Sequence, residues 1–446
     1  MSETSSRLRG PAQAHPASGL AGSLAAPGDK SVSHRALILG ALARGETRIS
    51  GLLESEDVLN TAKAMAALGA GVKHNRPGEW VVQGTSGRLS TPPEPLDFGN
   101  SGTGVRLVMG AVAGSGAGAD FVGDESLSSR PMRRVTDPLG LMGARFTTTD
   151  GRLPAHLEPG ELAAIDYTPP IASAQVKSAI LLAGLGAKGE TCVRELQVTR
   201  DHTETMLKSF GAEIDVTREG GGTRIRLTGP QRLTGQVVDV PGDPSSSAFA
   251  IVAALIVPDS EVTLTGVMNN PARTGLIETL KEMGADLTIV PGPVMAGERT
   301  MTVTARTSPL RGIEVPAERA PAMIDEYPIL AVAAAFATGT TFMPGLAELR
   351  AKESDRLAGT AALLTVNGAR VEAGEDSLTV YGAGPKGLEG GGETVTHHDH
   401  RLAMSGLVLG LASRTGARVD DIAMIATSYP DFFDHMRSLG AALEAG

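Results

Sequence analysis

Little in this chain of 446 residues can crosslink, stack on bases or cross a membrane. It has one cysteine, Cys192, so no intrachain disulfide can form, which suits a reducing compartment. Aromatic residues make up 3%, too few for the stacking platforms that bind single-stranded nucleic acid. Positive charge is in deficit: 40 Lys and Arg against 50 Asp and Glu leave a formal net charge of −10. A body of that sign repels nucleic-acid phosphates and anionic membrane surfaces, so any anionic partner must be met by a local basic site. No uninterrupted apolar run reaches the roughly 18 to 20 residues that span a bilayer. Met1–Ala26, rich in Ser, Ala and Pro, lacks the apolar core of a secretory signal. It reads as a short disordered leader, with a transit peptide carrying Arg7 and Arg9 as the sharper alternative.

Glycine is abundant, at 56 residues, and six of these glycines mark a repeat. Gly69-Ala70, Gly143-Ala144, Gly211-Ala212, Gly284-Ala285, Gly368-Ala369 and Gly440-Ala441 each follow a helix-like turn and precede a strand-like run, at spacings of 74, 68, 73, 84 and 72. A glycine there can take the left-handed conformation that ends a helix. Upstream of each lies an Ala-rich run: Arg35–Ala43, Val105–Ala113, Val176–Leu185, Ala248–Ile256, Ile329–Ala337 and Leu402–Ala412. These runs are apolar nearly all round, so they predict helices buried inside a bundle with strands covering them from outside. The chain therefore reads as six α/β units of about 70 residues, a period that marks a repeat architecture.

Small polar residues precede these buried helices: Gly28-Asp29-Lys30-Ser31, Gly99-Asn100-Ser101-Gly102, Ser173-Ala174-Gln175, Gly242-Asp243-Pro244, Met323-Ile324-Asp325 and His397-His398-Asp399-His400-Arg401. Free backbone N–H groups at a helix start, with Lys or Arg in the first turn, suit an anion. The stretch from Pro27 to Ser31 ends like a nucleotide-binding loop but lacks its full glycine spacing. The histidines around Asp399 match no standard zinc spacing, so no metal is expected. A second basic series comprises Arg130, Arg200, Arg273 and the cluster Arg350-Ala351-Lys352-Glu353-Ser354-Asp355-Arg356. There Lys352 and Arg356, four apart, are expected to share a helical face, with Glu353 a turn away from neither. From spacing alone, a structural salt-bridge network and a catalytic carboxyl among cations are equally open.

The phrases PGDKSVSHRA from Pro27, GNSGTGVR from Gly99, SRPM from Ser129, SAQVKSA from Ser173, TRDHTE from Thr199, GDPSSSAF from Gly242, MIDEYP from Met323, LRAKESDR from Leu349, HHDHRLAM from His397 and ATSYPDF from Ala426 run in one order along almost the whole chain. Together they resemble the 5-enolpyruvylshikimate-3-phosphate synthase family, and in particular its glyphosate-tolerant bacterial branch. The resemblance implies an α/β fold of two domains, each an inside-out α/β barrel of three βαβαββ units. Residues 28–240 would form one domain and 241–446 with 1–27 the other, with the active site in the cleft between them and closure expelling water. It also implies transfer of the enolpyruvyl group of phosphoenolpyruvate to the 5-hydroxyl of shikimate 3-phosphate, with release of phosphate, in aromatic amino-acid biosynthesis.

By that resemblance Lys30, Ser31, Arg35, Ser173, Ala174, Gln175, Arg200, Asp325 and Lys352 would hold shikimate 3-phosphate. Lys30, Gly102, Arg130, Gln175, Arg356 and Arg401 would hold phosphoenolpyruvate, and Asp325, Glu353 and Lys30 would be catalytic. It implies no cofactor, no nucleic-acid or membrane partner, and a cytoplasmic monomer. Two positions depart from the pattern. Thr427 stands where some members have a Lys, and Gly102 stands where the tolerant branch often has Ala, which implies greater glyphosate sensitivity here. The related transferase acting on UDP-N-acetylglucosamine is the nearest rival. It typically uses a cysteine on a mobile loop, whereas Cys192 falls in a strand-like run and reads as a buried structural thiol.

Overall fold

The computed structural model describes residues 8–446, which divide into two compact units. The first comprises Gly28–Pro241 with the short turn Val294–Glu298, and the second comprises residues up to Pro27, Gly242–Pro293 and Arg299–Gly446. Apart from that turn, the chain passes from one unit to the other at Pro27–Gly28 and again at Pro241–Gly242.

Each repeat supplies one fully buried helix and one flanking helix. In the first unit these are α1 (Lys30–Leu42) and α2 (Glu56–Ala67), α3 (Gly102–Ser115) and α4 (Arg133–Leu141), then α5 (Ala174–Gly184) and α6 (His202–Ser209). In the second they are α7 (Pro244–Ile256) and α8 (Gly275–Glu282), α9 (Tyr327–Phe336) and α10 (Arg356–Val366), then α11 (His400–Ala412) and α12 (Phe432–Ser438). The odd-numbered helices are those the Ala-rich runs predict. In α1 every residue from Val32 to Leu42 is buried, and in α7 every residue from Pro244 to Leu255. Helices packed on all sides need apolar residues all round, and small ones where two axes approach closely. Gly110 of α3 shows this: a Cβ there would lie 2.3 Å from the Ala179 carbonyl oxygen of α5.

The even-numbered helices end at the repeat glycines, and all six have φ between 87° and 106°. A side chain would strain that conformation, and the chain leaves it toward the next strand.

Among the described residues the strands form six sheets, three per unit. The second repeat shows the plan most clearly. Leu96–Asp97 pairs in parallel with Ala119–Val122, which pairs antiparallel with Arg152–Leu157, which in turn pairs with Phe146–Thr149. With α3 and α4 between them, these strands make a βαβαββ unit. Arg152–Leu157 alternates exposed and buried residues, so its apolar side faces the helices and its polar side faces outward. Both units are thus α/β modules built from three βαβαββ-like units with helices inside, as expected, although the sheet of Thr338–Met343, Leu378–Ala383 and Arg370–Ala373 has three strands where the others have four.

The leader is corrected from Leu8 onward. Ala12–Ala14 is a strand between Ala417–Val419 and Leu443–Ala445, and Ala21–Ala25 pairs in parallel with Glu261–Met268. These strands carry too few large apolar residues to show an alternating pattern; their register comes from partner strands hundreds of residues away. The first seven residues, with Arg7, lie outside the described residues. No helix among the described residues is long and apolar enough to cross a membrane.

Candidate active site

Side-chain caps fix five of the six buried helix starts. Asp29 accepts from Val32 N–H at 2.8 Å, Ser101 from Gly104 at 3.2 Å, Ser173 from Val176 at 3.4 Å, Asp243 from Ser245 at 2.8 Å and Asp399 from Arg401 at 2.9 Å. Each cap satisfies one backbone donor and sets the angle at which the first turn presents its side chains.

In the first unit the expected residues form two groups. Arg35 is buried in α1 and donates from Nε to Thr203 Oγ1 at 2.7 Å, from one terminal nitrogen to the Ser31 carbonyl at 3.0 Å and from the other to Ser178 Oγ at 2.8 Å. Lys30 Nζ lies 2.6 Å from Asp57 Oδ2. The other group surrounds Gly102. Arg106 donates to the Gly102 carbonyl at 3.3 Å and to Gln175 Oε1 at 2.9 Å, Gln175 donates to Thr103 Oγ1 at 2.9 Å, and Arg130 donates to Asn100 and to Ser126 Oγ. A Cβ at residue 102 would stand 3.0 Å from an Arg106 guanidinium nitrogen and 3.1 Å from one of Arg130. Ser173, Ala174 and Gln175 open α5, and Arg200 lies in the loop between the strand Gly189–Glu195 and α6.

The second unit gathers Asp325, Lys352, Glu353, Arg356 and Arg401. Arg356, 1% exposed, is the hub: Nε donates to Asp399 Oδ2 at 2.7 Å, one terminal nitrogen donates to Asp325 Oδ1 at 3.1 Å, and the other pairs with Glu353. Burial opposes the charge on this guanidinium, but Asp399, Glu353 and Asp325 outweigh it and raise its already high pKa. Lys352 Nζ lies 3.4 Å from the same Asp325 oxygen, and Arg401 donates to the Asp325 backbone carbonyl at 2.8 Å. Lys352 and Arg356 do not share a helical face. The turn Ala347–Ala351 ends before Lys352, and Asp355 caps a new helix by accepting from Ala358 N–H at 3.0 Å. Both cations reach Asp325 because the chain breaks between them.

Several partners carry no signal of their own in the sequence. Asp57, Asn100, Thr103, Ser178 and Thr203 are brought to the cations by folding, although all but Asp57 stand inside the phrases from Gly99, Ser173 and Thr199. Arg273 is structural: it is 3% exposed and donates to Asp243 at 2.9 Å and Ser245 at 3.0 Å. Thr427 sits 3.4 Å from His400 Nδ1, and His397 and His398 take left-handed backbone conformations. The potential metal-ligand group among the described residues lies elsewhere, at Asp201, His202 and Glu298, where His202 Nδ1 is hydrogen-bonded to Glu298 at 2.7 Å. Cys192 is buried in its strand, and burial, aided by Asp166, raises its thiol pKa.

The fold is that of the enolpyruvyl transferases. The solved structure of the enolpyruvyl transferase NikO from Streptomyces tendae superposes with a TM-score of 0.77 over 98% of each chain, at 20% identity, a likeness in fold alone. A solved EPSP synthase from Acinetobacter baumannii is nearer, with a TM-score of 0.87 and 42% identity over 98% of this chain and 99% of that one. The 3-phosphoshikimate 1-carboxyvinyltransferase of Maricaulis maris is 68% identical, covering 100% of this chain and 99% of its own; that of Afipia carboxidovorans is 60% identical over 97% and 98%. The sequence profile of EPSP synthase (3-phosphoshikimate 1-carboxyvinyltransferase) matches residues 14–436, and the chain belongs to that family. It is a transferase of the shikimate pathway that moves the enolpyruvyl group of phosphoenolpyruvate to shikimate 3-phosphate.

Proposed function

We propose that the reaction is divided between two differently built groups of residues. In the first unit Lys30, Ser31, Arg35, Ser173, Ala174, Gln175 and Arg200 hold shikimate 3-phosphate, while Lys30, Gly102, Arg130 and Gln175 hold phosphoenolpyruvate. In the second, Asp325 and Lys352 serve the acceptor, Arg356 and Arg401 the donor, and Asp325, Glu353 and Lys30 the chemistry. The observation that carries this reading is the Arg356 guanidinium holding Asp325, Glu353 and Asp399 at once.

The 5-hydroxyl of the acceptor attacks C2 of phosphoenolpyruvate while a proton is delivered to C3. The tetrahedral intermediate then loses phosphate as the C3 proton is withdrawn. Asp325, held by Arg356 and Lys352, is the base toward the hydroxyl. Glu353 is the acid at C3 and later the base; such groups contribute about 10²- to 10⁴-fold. Its carboxyl group pairs with Arg356. The arriving phosphate and carboxylate of the donor compete with Glu353 for Arg356. Arginine forks suit those anions because they bond two oxygens at once. No cofactor or metal enters these steps. The setting proposed is a monomer in the cytoplasm, in keeping with an acidic chain whose single cysteine is buried.

The test is phosphate release measured with each substrate alone and with both. Release only when shikimate 3-phosphate and phosphoenolpyruvate are present together is expected. Turnover supported by UDP-N-acetylglucosamine in place of shikimate 3-phosphate would overturn the reading. The buried strand position of Cys192 favours the first outcome, because a loop nucleophile cannot sit there.

A further inference from the structure

A buried ion cluster lies behind the acceptor residues of the first unit. Lys177, in the first turns of α5, is 1% exposed, and its Nζ lies 2.9 Å from Glu195 Oε2 and 2.8 Å from Glu204 Oε1. Both carboxylates are themselves buried. Glu195 ends the strand Gly189–Glu195 and Glu204 stands in the first turn of α6, so the two bracket the loop that carries Arg200. Within that loop Thr199 donates to Glu195, and in the first turn of α6 Thr203 shares a 2.7 Å hydrogen bond with Ser178, the residue after Lys177.

Burying an ammonium with two carboxylates is unfavourable against an apolar packing of the same volume. Such a cluster is justified by geometry instead: one ammonium with three donors fixes two carboxylates at a set separation. Burial pushes the Glu204 carboxyl pKa up against the pull of Lys177; burial also works against the Lys177 ammonium, but Glu204 and Glu195 outweigh it and keep it charged.

We propose that Lys177 is a positioning residue for acceptor affinity, tying both ends of the Arg200 loop to the helix that presents Ser173 and Gln175. This rests on the reading of Arg200 and Ser173 as shikimate 3-phosphate ligands. Gln175, on the same helix and also a donor residue, has its side chain held by Arg106 and Thr103 and not by the ion cluster, so the larger effect of changing Lys177 falls on the acceptor.

The experiment is steady-state kinetics of Lys177→Met and Lys177→Arg with the two substrates varied separately. Lys177→Met is expected to raise KM for shikimate 3-phosphate about tenfold, with KM for phosphoenolpyruvate and kcat within about threefold. Lys177→Arg, which keeps a cation for both carboxylates, recovers most of the loss. Should Lys177→Met not fold, Glu204→Gln keeps the volume and removes one ion pair, and a rise of about threefold in the same KM is expected. Unchanged KM values with a lower kcat, as a purely structural role gives, or equal rises in both KM values, would overturn the proposal. Failure of the underlying reading shows separately, as wild-type enzyme that releases no phosphate from the substrate pair.

Discussion

The two units hold their cations differently. In the first, Lys30 meets one carboxylate, that of Asp57, while Arg35 donates to two hydroxyls and a backbone carbonyl, Arg106 to an amide and backbone carbonyls, and Arg130 to an amide and a hydroxyl. In the second, Arg356 meets three carboxylates, Lys352 meets one of the same three, and Arg401 lies 3.6 Å from Glu326. A cation oriented by neutral dipoles keeps its charge for an incoming anion, whereas one surrounded by carboxylates fixes those carboxylates in place. The same repeated framework thus yields one group of cations held mostly by neutral dipoles and one held by carboxylates.

The comparison breaks most visibly if Glu353→Gln retains turnover. The expected loss in kcat is about 10²- to 10⁴-fold, with shikimate 3-phosphate binding kept. Next in size, Arg130→Met is expected to raise KM for phosphoenolpyruvate about 10- to 100-fold, the worth of hydrogen bonds to a charged group, with a smaller change in kcat. A loss confined to kcat would move Arg130 from the binding group to the chemistry. Gly102→Ala sharpens the comparison further, because its methyl group meets Arg106 and Arg130 at 3.0 and 3.1 Å and both must shift by a few tenths of an ångström. We expect KM for phosphoenolpyruvate to rise about threefold and glyphosate inhibition to weaken more than that; equal glyphosate sensitivity of the two enzymes contradicts the steric argument.

The smallest effect concerns stability. His34 is buried in α1, and burial, then Lys30 and Arg35, hold its pKa well below the ordinary 6.5. The unfolded chain therefore takes up a proton as pH falls below about 6.5 while the folded chain does not, and stability declines by about 1.4 kcal/mol per pH unit at most. His34→Asn should flatten that part of the melting-temperature profile between pH 7 and 5; an unchanged slope rules His34 out as its source.

Local patterns made the helices legible. The Ala-rich runs mark all six buried helices, and the glycine repeat finds all six left-handed helix ends because one residue type meets that backbone demand. Pairing over long distances was not legible. Val237–Asp239 pairs in parallel with Glu46–Ser50 across nearly the whole first unit, and Ala12–Ala14 completes a sheet near the other end of the chain. Strands of three residues have too short an alternation to announce themselves. The basic residues stood out, but the part played by their neutral partners did not: Thr203, Ser178 and Asn100 lie inside the quoted phrases, yet only folding sets them beside a guanidinium. Lys352 and Arg356 misled for the same reason: spacing of four suggests a helix, and Asp355 begins a new one between them.

Calorimetric titration of shikimate 3-phosphate into Arg200→Met and Glu353→Gln tests the division most directly. The account predicts affinity weakened about tenfold or more by Arg200→Met and within about twofold of wild type for Glu353→Gln, which nonetheless fails to turn over. Binding lost in Glu353→Gln and kept in Arg200→Met would contradict it.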